Sequence, residues 1–393
     1  MTCTLKLSRA APDGLPACVL LAFLATAGLF YVNIMPALVA GLIDGLGFSN
    51  RDAGFVGSAN VYGAACGALV AVFLVRRLPW RPVQAALLAL LLTLDLLSTL
   101  VKSAEPLIAL RFLHGVVGGT SVGIGLAVMA RTAIPDRAFG MLLAVQYGAG
   151  GLGIMFLPAL ARAHGPEVLF LALAAFTTVA LVMLPFLAEY PPRSAAAARA
   201  PSADRTRRLP LVRTLVAIFL FQAANMALSA FIIPLGRHYG LEDDFISGTI
   251  GVANWIGVSG AIAVIWMAGR FGRTAPVASV LALSLLGVVA FLLSGIASVF
   301  VAANVITAIA WSFVIPYLFG MCADFDAAGQ SATLAGFFSK MGLATGPAAA
   351  ALLLGADNYA LLIGVSAAGL AACALAAFGP ARLLDAGRAR QVD

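Results

Sequence analysis

Residues 55–87 read FVGSANVYGAACGALVAVFLVRRLPWRPVQAAL, and residues 249–281 read TIGVANWIGVSGAIAVIWMAGRFGRTAPVASVL. At a common offset of 194 positions the two stretches share several glycines and alanines, an asparagine (Asn60 and Asn254) and an arginine (Arg76 and Arg270). Each is an apolar run rich in small residues that ends in an arginine-bearing turn, followed by proline and a second apolar run. A repeat whose period is about half the chain length predicts two similar halves.

The composition is typical of a membrane protein. Of the 393 residues, 62% are hydrophobic and 10% are charged, and the mean hydropathy is +1.01. Soluble domains carry about 25% charged residues. The net charge of +7 is spread thinly over the connections, so no nucleic-acid partner is expected. The 5 cysteines form no CxxC pair, which predicts neither a disulfide nor a metal site, and we expect no cofactor.

Twelve apolar runs are each long enough to cross a bilayer, which takes about 20 residues. Because a backbone in hydrocarbon must satisfy its own hydrogen bonds, the runs are predicted to be helices. The predicted fold class is an all-α membrane protein with 12 transmembrane helices in two pseudo-symmetric six-helix bundles. We number the runs as spans 1 to 12; they cover residues 17–44, 54–75, 82–101, 106–130, 138–161, 166–188, 211–236, 246–268, 275–295, 297–321, 328–355 and 358–379.

The basic residues predict the orientation. With the N-terminus inside, eighteen Lys and Arg residues fall in cytoplasmic segments, and four fall on the opposite face: Arg51, Lys102, Arg162 and Arg237. By the positive-inside rule both termini are predicted in the cytoplasm, and the chain in a bacterial inner (plasma) membrane. The predicted organisation is a cytoplasmic lead (1–16), a first bundle (17–188), a flexible cytoplasmic linker (189–210), a second bundle (211–380) and a cytoplasmic tail (381–393).

The arginine-bearing turns resemble a family motif. The turn after span 8 reads GRFGR (269–273), the turn after span 2 reads VRRLPWR (75–81), and span 4 opens with LIALRFLHG (107–115). These are similar to the G-x-x-x-D-R-x-G-R-R/K turn and the L-x-x-x-R-x-x-Q-G pattern of the major facilitator superfamily. Gly269 stands in place of the aspartate, and His114 in place of the glutamine. The resemblance covers about residues 17–380.

This resemblance implies a secondary transporter in which the two bundles rock about a central site, the motion called alternating access. It also implies that spans 1, 4, 7 and 10 line the cavity, that spans 2, 5, 8 and 11 form the seam between halves, and that the remaining spans face lipid. The expected partners are a small-molecule substrate, the lipid bilayer and protons as the coupling ion. The chain is expected to be a monomer.

Lys340 is the first candidate for the substrate site. It lies twelve residues into span 11, about 18 Å from the cytoplasmic end at 1.5 Å per residue, near the midplane. Its repeat partner at the same 194-residue offset is Gln146 in span 5. We hypothesise that Lys340 attracts an anionic substrate group while Gln146 hydrogen-bonds it. The alternative is that Lys340 pairs with a carboxylate or is a neutral amine, but no acid is visible in the neighbouring seam or cavity spans.

Asp95 in span 3 and Arg111 in span 4 are predicted to lie at similar depth on adjacent helices, where an ion pair would offset the cost of burying both charges. His114 is one turn deeper on the same face of span 4 as Arg111. Two interpretations remain open. The pair holds the helices together, or Asp95 is the carboxylate that titrates during proton coupling, with Arg111 and His114 modulating it.

Neutral polar residues complete the predicted substrate-binding set, in spans that by the resemblance line the cavity: Tyr31, Asn33, Gln222, Asn225, Trp311 and Tyr317. A gating or packing role is expected for Asn60, Asn254, Arg76, Arg270, Gly342 and Pro347. For Asn60 and Asn254 we expect a hydrogen bond across the seam, since small and polar residues draw membrane helices together.

These features predict a proton-coupled secondary transporter of a small organic anion. The alternative is efflux of a neutral or amphipathic compound, such as a drug or metabolite, for which the aromatic residues Tyr31, Trp255, Trp311 and Tyr317 would serve. An enzyme is not expected, because no span carries a Ser/His/Asp set or paired carboxylates, and no HExxH or P-loop sequence occurs.

Overall fold

The computed structural model describes residues 9–74, 79–190, 208–267, 270–325, 331–355 and 357–392. Within these ranges the chain is helical and contains no strand, and ten helices are long and apolar enough to cross a membrane. A broken helix over residues 15–46 and the helix Ser331–Leu353 bring the number of spans to twelve. The predicted fold class is confirmed. Arg76 and most of the predicted linker lie outside the described residues.

The helices follow the predicted order with shifted ends. The first six spans are Leu15–Ala27 with Phe30–Asn33 and Met35–Leu46, then Asn50–Leu74, Trp80–Leu100, Ala104–Met129, Pro135–His164 and Glu167–Met183. The second six are Arg208–Ala230 with Ile232–His238, then Asp243–Met267, Thr274–Ala290, Ala297–Asp324, Ser331–Leu353 and Tyr359–Val392. Because twelve antiparallel crossings return the chain to its starting side, both ends lie at one face. We call it the terminal face and the opposite one the far face.

Spans 1 and 7 are broken at matching places. The backbone at Ile34 has φ −108° and ψ 16°, and that at Phe231 has φ −108° and ψ 15°, where the helix is interrupted in each half. Pro36 and Pro234 lie just beyond these breaks. Proline has no N–H to donate to the carbonyl of the residue four positions earlier, so each proline removes one helical hydrogen bond. The two prolines predict a kink in the first span of each half, and the breaks lie two residues before Pro36 and three residues before Pro234.

Spans 2 and 4 make the closest helix contact in the first half. Gly63 of span 2 lies against the carbonyl of Phe112, and Gly115 of span 4 lies against the carbonyl of Asn60, so that a Cβ at either glycine would overlap the opposing oxygen. Glycine permits this close approach of the two backbones. In lipid no hydrophobic effect drives helices together, so van der Waals contact between them stabilises the packing. Span 4 is consequently held behind spans 1 and 2, with Gly118 against the backbone of Gly28.

Two helix pairs join the halves, as the resemblance implies. Span 2 packs against span 11, where a Cβ at Gly54 would lie 2.8 Å from the carbonyl oxygen of Pro347. The hydroxyls of Tyr62 and Thr345 are hydrogen-bonded at 2.9 Å across the same pair. Span 5 packs against span 8, and Trp255 Nε1 donates to the carbonyl of Gly148 at 3.3 Å. These contacts lie at mid-depth and toward the far face.

The terminal end of the second half is held by Asp385. Span 12 does not end near residue 379 as predicted but continues through Pro380 to Val392. On this extension the Asp385 carboxylate accepts hydrogen bonds from the N–H groups of Arg273 (2.7 Å) and Thr274 (2.9 Å). Asp385 thereby caps the N-terminus of span 9, where the helix dipole favours negative charge. Arg273 also pairs with Asp324 of span 10 at 2.9 Å.

Candidate functional site

A cavity of about 290 Å³ lies between the two halves. Spans 1, 2 and 5 line it from the first half, and spans 7, 8, 9, 10 and 11 from the second. Among the described residues span 4 contributes nothing to the lining, and span 9 contributes Val288 and, directly after its end, Phe291. Both facts differ from what the resemblance implies. Span 4 is excluded because its glycine face is packed behind spans 1 and 2.

Lys340 is the one charged side chain among the described residues that line this cavity. It is the tenth residue of its helix, about 14 Å from the terminal end. Within the described ranges no carboxylate pairs with it. An ammonium in a poorly solvated cavity is costly, and such charges mark the path of a substrate or an ion.

Four other residues of the predicted substrate set line the same cavity: Gln146, Asn33, Asn225 and Trp311. Gln146, the repeat partner of Lys340, therefore shares a cavity with it. Asn33 Nδ2 donates to the backbone carbonyl of Gln146 at 3.4 Å. Asn225 Nδ2 donates to the carbonyl of Phe221 on its own helix at 2.9 Å.

The remaining three residues of that set lie outside the cavity lining. Tyr31 is buried, and its hydroxyl donates to the carbonyl of Val56 at 3.3 Å. Gln222 is buried against span 11, with Nε2 donating to the Ser339 hydroxyl at 2.7 Å. Tyr317 is buried near the terminal end of span 10, stacked on Phe313 at 4.8 Å. The structure therefore places these three side chains outside the lining, although Gln222 contacts the residue that precedes Lys340.

Asp95, Arg111 and His114 form a buried cluster with Asn60, separate from the cavity lining. Arg111 Nη1 lies 2.9 Å from Asp95 Oδ1, and Arg111 Nη2 donates to the carbonyl of Leu94 at 2.9 Å and to Ser98 Oγ. Both side chains of the ion pair are fully buried. The guanidinium also lies over the ring of Phe170, 5.0 Å from its centroid. Spans 3 and 4 are therefore joined by a desolvated ion pair, in which Asp95 Oδ2 and Arg111 Nε have no hydrogen-bond partner among the described residues.

The hydrogen bonds of Asn60 fix the protonation of His114. Asn60 Nδ2 donates to the Arg111 carbonyl at 3.2 Å, which sets the orientation of the amide, and it lies 2.7 Å from His114 Nδ1. His114 Nδ1 must then accept, so the ring proton is on Nε2, which lies 3.1 Å from Asp95 Oδ1. The geometry is that of a neutral imidazole whose Nε2–H donates to the Asp95 carboxylate.

The residues predicted to gate or pack occupy varied places. Asn60 contacts span 4 and Asn254 lines the cavity, so the hydrogen bond expected between them is not formed in the structure. Arg270 lies over the ring of Trp266, 5.4 Å from its centroid. Gly342 packs closely on the backbone of span 7, and Pro347 meets span 2 as described above.

An ion network joins the halves at the far face; we call Asp44, Arg162, Arg237, Asp243 and Asp244 the far-face network. Arg237 of span 7 contacts Asp44 of span 1 at 2.6 Å and Asp243 of span 8 at 2.5 Å. Arg162 of span 5 contacts Asp243 at 2.9 Å and Asp244 at 2.8 Å. At the terminal face the described ion pairs stay within one half. The molecule is thus closed at the far face.

We expect the variant Arg237→Gln to weaken this closure, because it removes the bond from span 7 to span 1. The readout is the rate at which an impermeant thiol reagent, added from the far face, labels a cysteine at cavity position 229 (Ser229→Cys with the native cysteines replaced). The pairs are partly exposed, so we expect a rise of about 5-fold, the equivalent of about 1 kcal/mol. Arg51→Gln is the matched control, since Arg51 lies over Phe55. An equal rise in both variants, or none in Arg237→Gln, would contradict a closing role.

Sequence reasoning missed several cavity residues, among them Tyr147, Ser229, Asn304 and Thr307. One signal was available: Asn304, Thr307 and Trp311 are spaced three and four apart in span 10, which places them on one helical face. The far-face network was missed as well. Its two arginines were read only as charges that report orientation, because pairing between distant loop ends leaves no local pattern.

The comparisons with known proteins agree with this architecture. The sequence profile of the Major Facilitator Superfamily matches residues 18–351. No curated protein matches the sequence. The structure is similar to that of the nucleoside transporter NupG (D323A mutant), with a TM-score of 0.74, 12% identity and coverage of 93% of this chain and 98% of that one. It is also similar to the human organic anion transporter MFSD10, with a TM-score of 0.65, 18% identity and coverage of 94% of this chain and 100% of that one. A third similar structure is that of a bacterial homolog of the human lysosomal transporter Spinster in an inward-facing, unoccupied conformation. Its TM-score is 0.72, with 13% identity and coverage of 94% of this chain and 97% of that one.

Proposed function

The chain belongs to the major facilitator superfamily, and from that premise we propose that it moves a small organic anion across the membrane by alternating access, coupled to protons. The observation that carries the proposal is the position of Lys340, a cavity-lining cation to which the described residues offer no carboxylate partner. An anionic substrate would supply the missing counter-charge. A cationic substrate would meet an ammonium and no acid.

Proton coupling has a physical basis at the same amine. An anion stabilises the protonated form of Lys340, and the protonated form in turn attracts the anion. By thermodynamic reciprocity, proton binding and anion binding at this position strengthen each other. A transporter with this linkage carries a proton together with its anion when the amine is neutral in the empty state. Asp95 is the other candidate, but its carboxylate is enclosed between Arg111 and His114.

The proposed orientation follows from charge. The terminal face carries most of the Lys and Arg residues outside the spans, so we place it and both termini in the cytoplasm of a bacterial inner membrane. Closure at the far face then corresponds to a cavity that faces inward. A monomer is sufficient for this mechanism, because the cavity is formed by the two halves of one chain.

The alternative, efflux of a neutral or amphipathic compound, draws support from the apolar part of the lining, including Trp311 and Phe291. It loses three of the four aromatic residues expected to serve it, because Tyr31, Trp255 and Tyr317 lie outside the lining. The similar structures do not decide between substrates, because one is a nucleoside transporter and another an organic anion transporter. The charge of the cavity favours the anion.

The test is uptake into proteoliposomes across an imposed pH gradient, with a panel of small carboxylates. We expect at least one carboxylate to accumulate inside the proteoliposomes when the external solution, to which it is added, is more acidic than the interior. This accumulation should be lost when a protonophore collapses the pH gradient. A sodium gradient without a pH gradient is the control. Accumulation driven by sodium alone would contradict proton coupling. Export of lipophilic cations with no carboxylate flux would contradict the anion assignment.

A further inference from the structure

Three carboxamides in the cavity lining are oriented by backbone carbonyls. The side-chain nitrogen of Asn33 donates to the Gln146 carbonyl (3.4 Å), that of Asn225 to the Phe221 carbonyl (2.9 Å) and that of Asn304 to the Phe300 carbonyl (2.8 Å). A carbonyl oxygen only accepts, so in each case the amide nitrogen must point toward it. The position of each Oδ1 atom is thereby fixed at the other end of the amide.

These three oxygens are free to accept from a ligand. Among the described residues no donor reaches the Oδ1 of Asn33, Asn225 or Asn304. These oxygens are also not among the solvent-inaccessible atoms that have no hydrogen-bond partner. They therefore keep accessible surface, and all three residues line the cavity. Gln222, which lies outside the lining, is the contrast: its Oε1 is buried without a partner in the described structure.

Each anchored amide also keeps a second N–H, because an amide nitrogen carries two hydrogens and the carbonyl takes one. The cavity thus offers adjacent acceptor and donor sites at three places, besides the ammonium of Lys340. A hydroxyl group both donates and accepts, so it satisfies such a pair. An ammonium on the ligand would not be favoured, since no carboxylate is among the described lining residues.

We propose that the cavity selects a monoanion that carries several hydroxyl groups, with Lys340 holding the anionic group and Asn33, Asn225 and Asn304 the hydroxyls. This inference rests on the anion transport proposed above and adds the chemistry of the rest of the substrate. The volume of about 290 Å³ is at the small end for ligand pockets, which suits a six-carbon sugar acid. Trp311 supplies an apolar face on which the C–H groups of such a molecule can pack.

Such a site rejects an analogue without hydroxyls. If hexanoate entered in place of a hydroxylated six-carbon acid, the charge contact to Lys340 would remain, but the amide groups would lose water without gaining a partner. Sites built around a substrate hydroxyl discriminate strongly for this reason. Each lost hydrogen bond corresponds to about a 10-fold loss of affinity.

The experiment measures thermal stabilisation of the purified full chain by three hydroxylated monocarboxylates (gluconate, galactonate and glucuronate), by hexanoate and by glucitol. We expect at least one hydroxylated acid to bind about 10-fold or more tightly than both hexanoate and glucitol. Asn225→Leu and Asn304→Leu should each reduce that preference about 10-fold while leaving hexanoate binding unchanged. Asn358→Leu, the same substitution outside the cavity, should leave the preference intact.

The outcomes separate this inference from the proposed function. If hexanoate binds as tightly as every hydroxylated acid, or if the two variants keep the preference, the hydroxyl assignment is overturned while anion binding stands. If glucitol binds as tightly as the acids, or no acid binds, the anion assignment is overturned with it.

Discussion

The variant Lys340→Gln is expected to abolish concentrative uptake of the anion while the protein still folds and inserts. Glutamine keeps most of the length and the hydrogen-bonding ability of the side chain but removes the only charge among the described lining residues. A hydrogen bond to a charged group is worth about 1.5–3 kcal/mol, so we expect the affinity to fall by roughly 10- to 150-fold. The measurement is initial uptake in proteoliposomes against substrate concentration.

Two further variants make the result specific. Lys340→Arg keeps the charge, so anion binding should persist, but guanidinium hardly deprotonates, so dependence on the pH gradient should be lost. Lys102→Gln is the matched control, because Lys102 lies at the far face in an exposed pair with Glu167. Wild-type uptake by Lys340→Gln would remove this residue from the substrate site.

The variant Arg111→Met is expected to lower the stability of the protein by about 3–5 kcal/mol, because it leaves the buried Asp95 carboxylate without its cation. Asp95 and Arg111 are both fully buried, so solvent cannot compensate for the lost partner. The measurement is the midpoint of thermal unfolding in detergent together with the yield of folded protein.

The double variant Asp95→Asn/Arg111→Met decides between the two roles left open for Asp95. It removes both charges together, and the oxygen of the introduced amide could still accept from His114, so a pair that only joins spans 3 and 4 should regain most of the stability. Uptake driven by a pH gradient should then survive. If the double variant folds but accumulation no longer depends on the pH gradient, Asp95 is the coupling carboxylate. The Asp95 Oδ2 atom, which has no hydrogen-bond partner in the described structure, is where a proton would sit.

Depth in the membrane could be read from the sequence, and rotation about the helix axis could not. The repeat relates Lys340 to Gln146, and both line the cavity. Tyr31, Gln222 and Tyr317 lie in spans that line it, but their side chains turn away. Successive side chains point about 100° apart around the helix axis. A contact can therefore be predicted only when it is known which helix packs on which face. The fit between bulky and small residues of neighbouring helices decides which faces pack together, and the sequence pattern of one helix does not contain this information.

The breaks in spans 1 and 7 and the position of span 4 show the same limit. Pro36 and Pro234 signalled the breaks, because a missing N–H acts locally. Glycines are typical of membrane helices that pack closely, but nothing in span 4 indicates that its partner is span 2 or that span 4 is kept off the cavity. The far-face network joins four spans and exists only when the halves are closed at that face. A contact that belongs to one conformational state leaves no periodic signal.

The central claim is that the sign of the charge at Lys340 selects the substrate. The most direct test compares an acid, its uncharged amide and the corresponding amine on one carbon skeleton, by thermal stabilisation of the wild-type chain and of Lys340→Gln. We predict that the acid stabilises the wild-type chain most and the amine least, and that the three become equal in Lys340→Gln. Stabilisation by the amine above the acid, or the same ranking in the variant, would contradict the account.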